Sequence, residues 1–176
     1  SKEGDADGDG LSDSAEYIFG SDPLKVQSDT DGLTDKQEFD FGSNPNVDDT
    51  DGDGLADLDE FVNNTDPNNP DTDGDGLSDL DEIETHFTDP LKADGDDDGI
   101  PDAFEIDLVT NIYELSAEGD FDSDGLTDLE EYNGKTMPNK TDTDGDGVND
   151  KDEFTRGSDP LAPDTDLDGL SDLVET

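Results

Sequence analysis

The sequence predicts a repeat array of short loop–helix units of about 22 residues, with little regular β structure and a minimal hydrophobic core. Three observations predict it. A twelve-residue pattern recurs eight times in 176 residues, most cleanly as Asp71-Thr72-Asp73-Gly74-Asp75-Gly76-Leu77-Ser78-Asp79-Leu80-Asp81-Glu82, with carboxylates at places 1, 3, 5, 9 and 12 and glycine at place 6. The closing glutamates, Glu16, Glu38, Glu60, Glu82, Glu105, Glu131, Glu153 and Glu175, are spaced 22, 22, 22, 23, 26, 22 and 22 residues apart. Leu, Ile, Val and Phe together make only 35 residues, near the level at which a highly charged chain stays disordered.

Each unit divides into loop, helix and turn. An apolar residue follows each of the first seven closing glutamates: Tyr17, Phe39, Phe61, Ile83, Ile106, Tyr132 and Phe154. A turn comes next, as in Gly20-Ser21-Asp22-Pro23, Gly42-Ser43-Asn44-Pro45, Asn64-Thr65-Asp66-Pro67 and Gly157-Ser158-Asp159-Pro160. Glycine or asparagine there suits a helix C-cap of positive φ, and proline shortly afterwards forbids continuation. From place 9 to that cap there is room for about two helical turns, which alone in water would be marginal.

The fifth linker breaks the rule. Its spacing exceeds the norm by four residues, about one helical turn, and its sequence Phe104-Glu105-Ile106-Asp107-Leu108-Val109-Thr110-Asn111-Ile112-Tyr113-Glu114-Leu115 is the most apolar in the chain. The expected organisation is repeats one to five over 1–105, a longer helical linker over 106–119, and repeats six to eight over 120–176. The linker is either a bend or a surface extension that changes nothing. The chain is expected to be a segment of a longer array, joined to flanking domains.

With 55 acidic against 8 basic residues the formal charge is −47, which excludes nucleic acid and anionic membranes as direct partners. No apolar run reaches the roughly 18 residues of a membrane span, so membrane insertion is not expected. Cysteine is absent, so neither disulfides nor thiolate metal sites are available. Of the 55 acids, 39 stand at places 1, 3, 5, 9 or 12, a register that a merely acidic or salt-adapted surface would not keep.

That register is what an oxygen-only cage around calcium needs: Asp at 1, 3 and 5 converging, Gly at 6 for a sharp turn, a backbone carbonyl at 7, a water-mediated contact at 9 and a bidentate Glu at 12. The candidate ligands of loop one are Asp5, Asp7, Asp9, Leu11, Asp13 and Glu16, and those of loop two Gln27, Asp29, Asp31, Leu33, Asp35 and Glu38. Loop three offers Asp49, Asp51, Asp53, Leu55, Asp57 and Glu60, and loop four Asp71, Asp73, Asp75, Leu77, Asp79 and Glu82. Loop five offers Asp94, Asp96, Asp98, Ile100, Asp102 and Glu105, and loop six Asp120, Asp122, Asp124, Leu126, Asp128 and Glu131. The last two offer Asp142, Asp144, Asp146, Val148, Asp150 and Glu153, then Asp164, Asp166, Asp168, Leu170, Asp172 and Glu175. Gln27 brings an oxygen but no charge, so loop two is expected to be the weakest. The Asp-x-x-Glu pair at places 9 and 12 also suits a helix N-cap, which would explain those two places and not the others. Magnesium demands compact octahedral geometry and zinc prefers nitrogen and sulfur, so calcium is the expected ion of a calcium-stabilised repeat array.

The loops resemble EF-hands, yet proline and asparagine turns precede them, as in Pro67-Asn68-Asn69-Pro70-Asp71, and the apolar loop residue stands at place 7 instead of place 8. Asp-x-Asp-x-Asp-Gly-Leu-x-Asp instead resembles the thrombospondin type 3 repeat, in the cysteine-free form of bacterial and archaeal surface proteins. The resemblance runs from Asp5 to Glu175 apart from the 106–119 linker. It implies repeats wrapped around calcium with little core, acting as calcium-dependent spacers or adhesion segments of secreted or cell-surface proteins. It also implies the option of a second ion per unit, for which the linker aspartates Asp22, Asp66, Asp89 and Asp159 are candidates beside a plain turn-forming role. The expected function is a calcium-ordered stalk, with calcium-dependent adhesion or matrix and mineral binding as the alternative. No nucleophile–base pair or cofactor motif points to an enzyme.

Overall fold

The computed structural model describes residues 4–109 and 111–174. The described residues form two compact units, Ser1–Ala93 and Asp94–Thr176, so loop five shares a unit with loops six to eight. In the first unit lie α1 (Asp13–Phe19), α2 (Asp35–Phe41), α3 (Asp57–Asn63) and α4 (Asp79–Asp81), the last continuing as a π turn over Glu82–His86. In the second lie α5 (Asp102–Val109), α6 (Asp128–Gly134) and α7 (Asp150–Arg156). No strand occurs among the described residues.

Every helix opens at place 9, and the residue before it sets that start. Ser12, Thr34, Ser78, Thr127 and Asn149 have extended backbone, and their side chains accept the amide three residues on. Thr34 with Gln37, and Thr127 with Glu130, close full capping boxes. The capping expected of place 9 therefore belongs to place 8, because the place-9 residue is already helical. The helices stop where foreseen: Gly20 (φ 101°), Gly42 (94°), Asn64 (64°) and Gly157 (89°) turn left-handed and donate their amides to the closing glutamate's carbonyl. After three of them the next amide does the same: Ser21 to Glu16 at 3.1 Å, Thr65 to Glu60 at 3.1 Å and Ser158 to Glu153 at 3.2 Å.

The two irregular spacings are absorbed differently. One extra residue after Glu82 widens the last turn to i→i+5, with Phe87 as a left-handed cap donating to the Glu82 carbonyl. The longer helix expected over 106–119 does not form: α5 ends at Val109, and 111–119 run as turns. The reason lies in the apolar residues, since Ile112 and Leu115 are buried at 8% and 1% exposure by folding back. A Cβ on Gly95 would sit 2.9 Å from Ile112 Cδ1, which shows how tightly the linker closes over loop five.

The core is a thread of single residues. Place-7 side chains Leu11, Leu33, Leu55, Ile100, Leu126 and Val148 are buried, Leu77 is half-buried and Leu170 is exposed. Burying each such side chain contributes roughly 1.5–3 kcal/mol, little for a unit of this length. Successive helices touch edge-on through Phe19–Phe39 (5.3 Å between centroids), Phe41–Phe61 (5.4 Å) and Phe104–Tyr132 (4.8 Å). Polar ties also cross between neighbouring repeats. In four repeats the second oxygen of the place-5 aspartate accepts an amide from the next repeat: Asp9 from Lys36 (2.9 Å), Asp53 from Leu80 (3.3 Å) and Asp124 from Lys151 (3.1 Å), all helical, and Asp146 from Leu173 (3.0 Å), in a turn.

Candidate metal centres

Loop three shows how the backbone aims its carboxylates. Asp49 accepts the amides of Gly52 (2.7 Å) and Gly54 (3.1 Å) on its two oxygens, Asp51 accepts that of Asp53 (3.2 Å), and Asp53 accepts that of Leu55 (2.6 Å). Gly54 takes φ 104°, and a Cβ there would meet Leu80 Cδ2 at 2.9 Å, so place 6 needs glycine on both counts. Loops four and seven repeat these bonds.

The folded loops bring the predicted ligands together. Places 1, 3 and 5 of loops one, three, four and five each present carboxylate oxygens within 4.8 Å of one another, and in loop two Asp29, Asp31 and Glu38 do so. Glu16, Glu38, Glu60, Glu82, Glu105, Glu131 and Glu153 are wholly buried. Neither oxygen of Glu16, Glu38, Glu60, Glu105 or Glu153 has a hydrogen-bond partner, and the second oxygens of Asp7, Asp29, Asp51, Asp122 and Asp144 at place 3 are orphaned as well. One such buried orphan costs about 1–3 kcal/mol, and more when charged. Repeated from loop to loop, that cost makes a compensating cation favourable there.

The electrostatics agree. Burial first, then the charges of Asp51, Asp57 and Asp53, push the Glu60 carboxyl from 4.5 up to about 8. Glu131 rises to about 8 by burial, then by Asp122 and Asp124, and Glu153 by burial, then by Asp144 and Asp146. Glu38, Glu82 and Glu105 rise to about 8 and Glu16 to about 7, burial leading in each. Asp51, Asp122 and Asp144 are raised for the same first reason. An all-oxygen set of clustered anions fits calcium, which places 3 and 12 would hold through their orphaned oxygens. Bound there, calcium supplies the positive charge that lets these carboxyls stay ionised while buried.

Place 9 stands apart from that cluster. Both oxygens of Asp57 are taken by Thr50, whose amide and hydroxyl donate at 2.8 and 2.7 Å. Asp35, Asp79, Asp150 and Asp172 are held alike by Ser28, Thr72, Thr143 and Thr165. In loop one Ala6 donates its amide to Asp13, and in loop five Gly95 donates to Asp102. In loop six Phe121 donates to one oxygen of Asp128 and Ser116 to the other. The charge of the place-9 carboxylate nonetheless reaches the preceding cage: Asp79 adds to the rise of Glu60, Asp150 to that of Glu131 and Asp172 to that of Glu153. Place-7 residues meet their own loops through the amide, donated to the place-5 carboxylate in all eight copies. In the last loop Asp164, Asp166 and Asp168 are hydrogen-bonded to Asp168 and Gly169–Leu170 amides, and Glu175 lies outside the described residues.

Two residue sets were missed by reading acids alone. The place-2 Ser and Thr just named are one. The other is a hydroxyl five or six residues after the glutamate: Thr88 donates to Glu82 at 3.0 Å and Thr136 to Glu131 at 3.5 Å, while Ser21, Ser43 and Thr65 are buried and Ser158 half-buried at the equivalent place. Aligning the repeats on their glutamates exposes both sets. The linker aspartates Asp22, Asp66, Asp89 and Asp159 accept amides two residues on, the turn-forming role.

The family model described as Bacterial TSP3 repeat matches residues 5–26, 28–47, 49–70, 71–93 and 142–163, more than half of the chain. No curated protein and no solved structure matches. No helix among the described residues is long and apolar enough to cross a membrane. Acidic loops recurring about every 22 residues, seven of them closed by a buried glutamate and five matched by one repeat model, place this chain in the bacterial thrombospondin type 3 repeat family.

Proposed function

We propose that the chain is a calcium-ordered spacer, a stalk segment of a secreted or cell-surface microbial protein that holds a flanking domain at a distance. The observation that carries this reading is the series of seven wholly buried glutamates, five of them with neither oxygen partnered within the protein. Such a chain has too thin an apolar core to stay compact against its own charge, so folding and calcium occupancy become one equilibrium. Extracellular calcium modules work at about 10⁻⁴–10⁻³ M, so outside the cell the array would stand permanently ordered. The reading assigns no reaction to the chain.

Calcium-dependent adhesion is a second reading, favoured by the large apolar side chains left in solvent, among them Tyr17, Ile18, Leu24 and Phe87 at 77–85% exposure. Calcium titration followed by far-ultraviolet circular dichroism tests the spacer: helical signal should appear with calcium and vanish in excess chelator. A spectrum indifferent to chelator overturns it. Calcium-dependent capture of the isolated chain by a cell-wall or mineral surface would move the weight to adhesion.

A further inference from the structure

Loop two departs from its seven siblings at two residues, and the fold brings a residue from outside the loop to one of them. Place 1 is Gln27, whose side-chain amide donates to Asp31 Oδ1 at 3.3 Å. Place 4 is Thr30. In loops one, three, four and seven this place is glycine with φ of 81–84°, and in loops five, six and eight it is Asp97, Ser123 or Leu167 with φ of 62–68°. Thr30 does not adopt that left-handed conformation, which a β-branched residue resists. In loops one, three, four and seven the place-4 amide donates to the place-1 aspartate. In loop two the Thr30 amide and hydroxyl instead donate to Asp48, at 3.0 and 2.7 Å.

Asp48 belongs to the next repeat, directly before loop three. The residues in that position before the other loops are Gly4, Val26, Pro70, Ala93, Gly119, Thr141 and Pro163, none of them acidic. The cage it approaches is short of positive charge like the others. Glu38 is wholly buried with both oxygens orphaned, and the second oxygens of Asp29 and Asp31 are orphaned too. Its two bonds from Thr30, the residue between Asp29 and Asp31, hold Asp48 beside that cage.

We infer that Asp48 is the missing carboxylate of loop two: it stands in for the place-1 aspartate, so that repeats two and three build this calcium cage jointly. The inference rests on the calcium reading above and removes the expectation that Gln27 makes loop two the weakest. It also makes the second ion a clamp between neighbouring units.

Amide NMR of the ¹⁵N-labelled full chain during calcium titration resolves the loops through their place-6 glycines: Gly32 for loop two, Gly54 for loop three, Gly76 for loop four. In the native chain Gly32 should respond over the same calcium range as Gly76. In Asp48→Asn the Gly32 midpoint should move to roughly tenfold higher calcium or beyond, about the effect of one charged contact, with Gly76 unmoved. The double variant Gln27→Asp/Asp48→Asn should bring the Gly32 midpoint back. Because Asp48 is exposed, the single variant leaves the core intact. An unchanged Gly32 midpoint in Asp48→Asn overturns the inference, and so does a shifted midpoint that Gln27→Asp fails to restore, since Asp48 would then only brace Thr30. If no loop glycine of the native chain responds to calcium, the calcium reading itself falls and takes this one with it.

Discussion

In the third repeat the hydroxyl and amide of Thr50 hold both oxygens of Asp57, whereas in the sixth, where place 2 is Phe121, the amide of Ser116 reaches from the linker to take the second oxygen of Asp128. The same carboxylate is braced in both, by different means. In repeat three the brace is local and the neighbourhood almost wholly polar. In repeat six it arrives with a linker that also buries Ile112 and Leu115. Holding the place-9 carboxylate is thus a requirement of the unit, and the extended linker meets it while adding apolar burial that the regular repeats lack. Repeat six and its neighbour five should therefore depend less on calcium than repeats three and four.

The largest expected effect is common to both and sets the baseline. With metal removed, the carboxyls of Glu60 and Glu131 titrate near 8 when folded, against an ordinary 4.5. A raised folded value means that the neutral form is favoured by folding. That stabilisation is complete below about 4.5 and is lost as pH climbs through about 8. Chelated protein should accordingly be more helical at pH 5 than at pH 9. With calcium present the sign reverses, because the ion needs the ionised carboxylates. Chelated helicity that rises with pH would contradict the buried, unpartnered glutamates.

Next in size is Leu115→Ala, which opens a cavity in the second unit and should cost about 2–5 kcal/mol. Its effect should be plainest in chelator, where hydrogen exchange of repeats five and six should become as fast as that of repeats three and four. Equal exchange in the native chain before any substitution would break the comparison. Thr50→Val removes one donor from Asp57 and should cost about 1–3 kcal/mol, confined to repeat three. A loss that spreads equally to repeat six would deny that the braces are local. The smallest effect is Thr127→Ala, which takes the cap and half the capping box from α6 and should cost about 1 kcal/mol, read as a lower melting midpoint in chelator.

Much of this arrangement could be read from the chain before it was folded, for reasons that differ by residue. Asp51, Gly54 and Glu60 were legible because their spacing is dictated by one small ion, and α3 because Asn64 and Pro67 punctuate it. The linker was misread because four extra residues equal one helical turn in length. What decided its shape was the burial of Ile112 and Leu115, which a spacing count does not weigh. Thr50, Ser116 and Thr136 were passed over because neutral hydroxyls and amides carry no pattern until something buried asks for a proton. The bond from Leu80 to Asp53 lies beyond any single-repeat reading, since it exists only once two units are set side by side.

That last bond gives Asp53, like Asp9, Asp124 and Asp146, two employers. One oxygen of Asp53 shapes its own loop through Leu55, and the other grips the first turn of the following helix. Disorder in one loop is thereby passed to its successor at a single amide, and no farther without a second failure. Such a chain should fray inward from its ends, link by link, and under tension should lengthen in steps about one repeat long instead of parting in a single event.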